Sequence, residues 1–315
     1  MSSLANATRA FTSPLGRSAT ASFASTKFSF KSWAKYKFCP KIPCVVLPRR
    51  NGAHNGVGTM MGQAEHDIEN PAFATETHLL GGRVTLRQPA KGYRAGMDAA
   101  LLAATVAPKA GERLIEAGCG AGAVLMQLAK RHSDLNLCGL ERDPFAHALA
   151  RHNAKANGVD DRTTLLQGDV AKGFRALDLP LFDWAVSNPP YFDDPNTIRA
   201  PAEERRGAWI ADDGLKAWTH FLLKSVREGG KIVIVHRADR LADILSLLAP
   251  KAGSFAIRPV HSFADEPAKR VLVQAIKTGK APLRLLPPLI LHPRTGPKHT
   301  PEAEAILRGE ADLVF

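Results

Sequence analysis

From Glu112 to Ile276 short apolar runs alternate with segments of helical period, and few folds absorb such alternation. Arg113–Glu116, Leu135–Glu141, Thr163–Gln167, Phe182–Ser187 and Lys231–His236 read as strands, the last strongly β-branched. Between them, Ala123–Arg131 and Pro144–Asn157 read as helices; the second carries proline in its first turn. A helix over Leu215–Arg227 is predicted to stop at the Gly229–Gly230 pair. A further helix over Arg240–Leu248 and strands near Ser254–Val260 and Arg270–Ile276 complete the pattern. Strand and helix in strict turn call for a doubly wound α/β sheet, parallel in the main, with helices on both faces.

Composition sets the outer limits. Of 315 residues, 45% are hydrophobic and 23% charged, which excludes a disordered chain, a collagen and a coiled coil. No apolar run is long enough to span a bilayer, so no membrane partner is expected. Four cysteines, scattered as Cys39, Cys44, Cys119 and Cys138, make neither a disulfide framework nor a zinc site, and no metal is expected. The net charge of +12 is unevenly spread: residues 1–60 hold nine Lys/Arg and no carboxylate, leaving 33 basic against 30 acidic residues in the rest. This basic, Ser/Thr-rich leader suits an organellar transit peptide or a reading frame begun upstream of a true start at Met60 or Met61. It is predicted to be disordered, with a lead-in segment over 61–110 and the catalytic domain over 111–315. The expected location is cytoplasmic, or organellar if the leader is a transit peptide.

Strand one runs into Glu116-Ala117-Gly118-Cys119-Gly120-Ala121-Gly122. Glycines at a strand-to-helix turn let backbone approach a ligand closely, and the helix N-terminus adds N–H donors. Glu141, ending the second strand, stands where a carboxylate can take both hydroxyls of a ribose. On its own such a turn is a weak signal. The loop after the fourth strand is more specific: Asn188-Pro189-Pro190-Tyr191-Phe192. The prolines fix the backbone so that the Asn188 side chain and the Pro189 carbonyl are pre-aimed, and Tyr191 offers a flat face to a planar group. Open α/β sheets hold substrates at this edge.

The pairing of glycine turn and Asn-Pro-Pro-Tyr resembles the class I S-adenosylmethionine-dependent methyltransferases that act on planar amino nitrogens. Upstream, Leu79-Leu80-Gly81-Gly82-Arg83-Val84, Gln88-Pro89, Gly92-Tyr93-Arg94-Ala95-Gly96-Met97-Asp98 and Leu101-Leu102-Ala103-Ala104 are similar to the tRNA1(Val) (adenine(37)-N6)-methyltransferase family. The similarity extends to Leu291-His292 and Thr300-Pro301-Glu302-Ala303. The resemblance implies a Rossmann-like sheet, mostly parallel with an antiparallel C-terminal strand, and S-adenosylmethionine as cofactor. It implies Asn188, Pro189, Pro190 and Tyr191 at the reacting amine. Around the cofactor it implies Tyr93, Asp98, Glu116, Gly118, Gly120, Glu141, Asp169 and Asn188. Asp98 could instead cap a helix over Ala99–Val106, Asp169 could end a turn, and Tyr93 could fill the core. Cys119 reads as a small packing residue.

The implied activity is N6-methylation of an adenine in RNA, in a tRNA anticodon loop, with the flipped base on Tyr191 and Phe192. Arg199, Arg205 and Arg206 in the following loop are candidates for RNA phosphates, as are Arg83, Arg87, Lys91 and Arg94, and Arg294, Lys298 and His299. Two other readings share these motifs: methylation of a glutamine side chain in a translation protein, and an inactive cofactor-binding, RNA-binding subunit.

Overall fold

The computed structural model describes residues 67–91, 94–190 and 214–315. Among the described residues the first strands form a hairpin, β1 (Ala74–Leu79) and β2 (Val84–Pro89), followed by a helix, α1 (Met97–Ala104). The alternating part follows as β3 (Arg113–Ala117), α2 (Ala123–Arg131), β4 (Asn136–Glu141), α3 (Pro144–Ala156), β5 (Thr163–Gln167) and β6 (Phe182–Ser187). After it come α4 (Gly214–Ser225), β7 (Val226–Arg237), α5 (Leu241–Leu248), β8 (Ala252–His261) and β9 (Arg270–Lys277). Two short strands, β10 (Arg284–Leu285) and β11 (Leu289–Ile290), and α6 (Pro301–Arg308) end the fold.

The main sheet runs β10-β8-β9-β7-β6-β3-β4-β5, with β11 also on β8. From β5 to β7 every pairing is parallel, and β9 lies antiparallel between β7 and β8. The predicted antiparallel strand near the C-terminus is therefore β9. Period-two alternation sends successive residues of each strand to opposite faces. Leu114, Val186 and Val233 join Leu101 and Leu125 in one core, while Ile115, Ala185 and Ile234 join Phe221 and Ile244 in the other. Leu80, Val84 and Leu86 of the hairpin belong to the first core, so the lead-in segment packs on the sheet's helices.

One boundary departs from the sequence reading. The helix expected over Leu215–Arg227 stops at Ser225, and β7 begins at Val226, which already pairs with Phe182. The register then shifts between Phe182 and Trp184, and Gly229, at φ +75°, turns within this irregularity. The glycine pair thus makes a bulge in a strand rather than a helix stop. Asp183 holds the bulge through Arg227 Nε at 2.6 Å.

Candidate cofactor and acceptor site

The chain leaves β3 toward β4 and β5, then returns to β6 on the other side of β3, which opens a crevice at the carboxyl ends of these strands. Ala117 pairs with both Leu140 and Ser187, so β3, β4 and β6 end level. The buried Ser187 hydroxyl donates to the Ala117 carbonyl at 2.9 Å. Gly118 and Asn188 are consequently the first residues past two adjacent, mutually bonded strand ends.

The glycine turn is held by its own backbone. Gly118 and Cys119 N–H groups donate to the Leu140 carbonyl at 2.8 and 3.0 Å. Gly118, Gly120 and Gly122 take φ of +67°, +54° and +84°, a region costly for residues with a Cβ. Each glycine has its own spatial reason. A Cβ on Gly118 would overlap the ring of Trp218, and one on Gly122 would meet Ala150 of α3 at 3.5 Å. At Gly120 nothing lies within 4 Å, so this part of the turn faces open space. Trp218, on α4, escaped the sequence reading, because nothing in the sequence sets it apart from the packing aromatic Phe221 on the same helix. Trp218 walls the crevice directly over Gly118.

Four carboxylates are expected at the site. Glu141 Oε2 accepts from Gly120 N–H at 2.8 Å, and Oε1 from Asp143 N–H at 2.7 Å. Each oxygen keeps a lone pair for a hydroxyl. Glu116 is buried, and its Oε2 has no partner among the described residues. Burial first, and then the nearby Glu141, push its carboxyl well above the usual range. Asp169 accepts from Ala171 N–H at 2.9 Å and faces Arg142 at 3.4 Å, just past β5. It caps a short helical turn while its carboxylate stays at the crevice edge. Asp98 does not cap its helix, whose N-cap is Gly96; Arg270 Nε approaches its oxygens at 2.6 and 2.8 Å. That ion pair ties α1 to the carboxyl edge of the sheet, because Arg270 pairs with Arg237 at the end of β7.

Asn188 and Pro190 are half-buried and Pro189 buried at the mouth of the crevice. Tyr93, Tyr191, Phe192, Arg199, Arg205 and Arg206 lie outside the described residues, as does the leader over 1–60. Several upstream cations expected to meet RNA are used internally. Arg83 Nη2 donates to the carbonyls of Arg308 and Gly309 at 3.0 and 2.9 Å. Arg87 donates to the Ile68 carbonyl at 2.7 Å, and Arg94 to the Thr75 hydroxyl at 2.6 Å. Near the C-terminus Arg294 is paired with Asp265 at 2.8 Å. Cys119 is buried, and burial pushes its thiol up, which suits packing rather than nucleophilic attack. Among the described residues no cluster of His, Cys, Asp and Glu could hold a metal ion.

The stretch that holds the glycine turn and the residues after β6 is similar to known proteins. The methyltransferase small domain family matches residues 94–204. A tRNA1(Val) (adenine(37)-N6)-methyltransferase of Porphyromonas gingivalis is 27% identical over 224 residues, 68% of this chain and 87% of its own length. Its counterpart in Yersinia enterocolitica is 30% identical over 199 residues, 61% of this chain and 77% of that protein. Among solved structures, a predicted O-methyltransferase from Agrobacterium tumefaciens covers 69% of this chain and 99% of its own, with a TM-score of 0.59 and 26% identity.

Proposed function

Because this chain belongs to the class I methyltransferases of the tRNA1(Val) (adenine(37)-N6)-methyltransferase family, we propose that it methylates N6 of an adenine in a tRNA anticodon loop, with S-adenosylmethionine as donor. The observation that carries the reading is the level ending of β3 and β6, with the glycine turn and Asn188-Pro189-Pro190 side by side across a bonded Ala117–Ser187 pair. The fold shared with relatives does not choose the acceptor atom; the residues after β6 do.

The chain fits the donor on three counts. Gly120 leaves open space in the turn, the buried Glu116 Oε2 lacks a partner among the described residues, and Glu141 keeps acceptor capacity toward that space. When bound, S-adenosylmethionine supplies an electrophilic methyl group. Glu141 would hold the ribose hydroxyls and Asp169 the adenine amino group, with Glu116 toward the methionine part. Asp98 and Tyr93 complete the proposed cofactor set.

At the acceptor, an exocyclic amino group is a poor nucleophile because its lone pair is delocalised into the ring. The Asn188 side-chain oxygen and the Pro189 carbonyl each accept one N–H, drawing the nitrogen toward pyramidal geometry and freeing the lone pair. Pro189 and Pro190 hold both acceptors in place, so their orientation costs little at the moment of reaction. Tyr191 and Phe192 are proposed to stack the flipped base, and Arg199, Arg205 and Arg206 to meet phosphates. No base is required, since the methylated ammonium is strongly acidic and sheds its proton to water. The bacterial tRNA enzymes it resembles support a cytoplasmic location.

The test is transfer of radiolabelled methyl into bulk tRNA or bulk protein, with mass spectrometry of the digested nucleosides. N6-methyladenosine in tRNA is expected. Label in a protein glutamine would replace the reading with the glutamine one, and label in neither would leave the inactive subunit.

A further inference from the structure

Two motifs far apart in sequence meet on the face of the sheet that carries α1 and α2. The turn after β1 lies against the C-terminal end of α6, where Arg83 bonds the Arg308 and Gly309 carbonyls at 3.0 and 2.9 Å. Gly309 takes φ +72°, and a Cβ there would overlap Arg83 and Leu80. At the other end of α6, Thr300 caps the helix by accepting from Ala303 N–H at 3.2 Å and donates to the Ile290 carbonyl at 2.6 Å. Both walls are thus fixed by backbone bonds. Between them and α1 runs a groove of about 640 Å³, with Gly96 and Met97 at one end and Leu80 and Arg308 at the other. That volume suits a ligand the size of a nucleotide.

Its polar groups are arranged for one. His299 and His292 lie 5.1 Å apart with their rings tilted by 32°, and together they line one wall; behind them His292 meets Phe263 at 5.7 Å and 47°. The His292 ring is held by a 2.6 Å contact between Nδ1 and the Lys298 carbonyl. The wall opposite includes Gln127, fully buried, whose Nε2 donates to the Ala123 carbonyl while Oε1 has no partner among the described residues. An orphaned acceptor of this kind is rare in native structures and costly without a ligand or water. At the rim, Arg308 is engaged by Glu304 at 2.8 Å, whereas Lys298 has no carboxylate partner among the described residues.

We propose that this groove receives one nucleotide of the RNA substrate, other than the methylated adenine, with its base against the His299 and His292 rings and its phosphate at Lys298. The buried acceptor Gln127 Oε1 favours a base edge that donates hydrogen bonds. Aromatic rings and imidazoles serve single-stranded bases in this way, and a lysine without an internal partner serves phosphate. The proposal rests on the RNA reading of the catalytic crevice. Groove and crevice lie toward one end, since Gly96 and Met97 lead directly into Asp98 at the carboxyl edge.

The test titrates the full-length protein with a fluorescein-labelled anticodon stem–loop RNA, followed by anisotropy, beside steady-state methylation. Lys298→Glu is expected to weaken RNA binding about tenfold and to lower its salt dependence. Gln127→Met, which keeps side-chain length, is expected to raise KM for the RNA about fivefold with kcat and cofactor affinity unchanged. Lys224→Glu, on α4 across the sheet, should bind as wild type. Wild-type affinity for RNA in both groove variants, with unchanged melting temperatures, would overturn the proposal. So would binding of free AMP that is lost in Lys298→Glu while RNA affinity is kept, since the groove would then serve a free nucleotide. If the variants lose RNA affinity but wild type methylates no RNA, the groove assignment stands and the catalytic reading fails.

Discussion

Glu116 and Glu141 share one crevice, yet their surroundings ask different things of them. The Glu141 carboxylate is half-buried and already accepts two N–H bonds. Glu141→Ala should therefore weaken cofactor binding by roughly 1.5–3 kcal/mol, the worth of charge-assisted bonds to hydroxyls; calorimetric titration giving the wild-type dissociation constant would remove it from the ribose. Glu116 is buried beside that charge, so the folded chain holds its proton to higher pH than the unfolded chain does. For a carboxyl raised in this sense, the energetic cost is absent below the unfolded value near ~4.3 and grows as pH rises through the folded value. Glu116→Gln should then gain stability relative to wild type as pH rises from acid toward neutral and beyond, measured as the difference in melting temperature of the cofactor-free proteins. A difference that stays flat with pH would show that Glu116 ionises as freely folded as unfolded. Asn188 differs from both in acting on the acceptor. Asn188→Ala should leave cofactor affinity nearly intact and lower kcat by about 10²–10³, the usual loss for one oriented acceptor or donor at a reacting centre. Lost cofactor affinity with turnover barely changed would reverse that assignment.

Among the elements, those the sequence revealed best are the strands whose ends are marked by turn residues. Thr163–Gln167 and Phe182–Ser187 keep the expected bounds, because each apolar run is set off by glycine, proline or charge. The motif residues past β3 and β6 were legible for the same reason, since a strand end fixes where the loop must begin. The hairpin of β1 and β2 was met only as a string of family-like residues, because its partner is a helix. Asn153 of α3 and Asn157, which caps its C-terminus one turn on, replace a neighbouring strand: Asn153 accepts from Arg87 N–H at 2.8 Å and donates to its carbonyl at 2.7 Å. Asn157 does the same for Thr85 at 3.1 and 2.7 Å. Asparagines four residues apart carry no such message in sequence. Asn153 also donates to the Ala121 carbonyl at 2.8 Å, which links the hairpin to the glycine turn. Asn153→Ala should cost about 1–3 kcal/mol of stability, since it strands part-buried backbone groups of β2. Amide exchange should accelerate over Val84–Pro89 ahead of β3 and β6; uniform exchange would show that the apolar contacts of Val84 and Leu86 alone hold the hairpin.

Across the whole molecule, the charge balance bears on how RNA is held. Outside residues 1–60 the chain carries 33 basic and 30 acidic residues, and several of the basic ones are spent on internal bonds. Attraction to RNA must therefore come from a few placed cations, or from the nine basic residues of the leader. Every motif assigned to cofactor or acceptor lies after Met61, and among the described residues the two cores start at Leu80 and Ile115. A protein beginning at Met61 should thus unfold cooperatively at the full-length melting temperature and bind S-adenosylmethionine with equal affinity. It should also methylate tRNA with similar kcat at physiological salt. At low salt it should bind RNA more weakly than the full-length chain, because nine positive charges add nonspecific phosphate attraction that fades as salt rises. The two proteins are to be compared by thermal unfolding, calorimetric cofactor titration and methyl transfer over a salt series. Convergence of their RNA affinities with rising salt is the expected result. An unfolded or inactive shorter protein would make the leader part of the working enzyme and move the domain boundary upstream of residue 61.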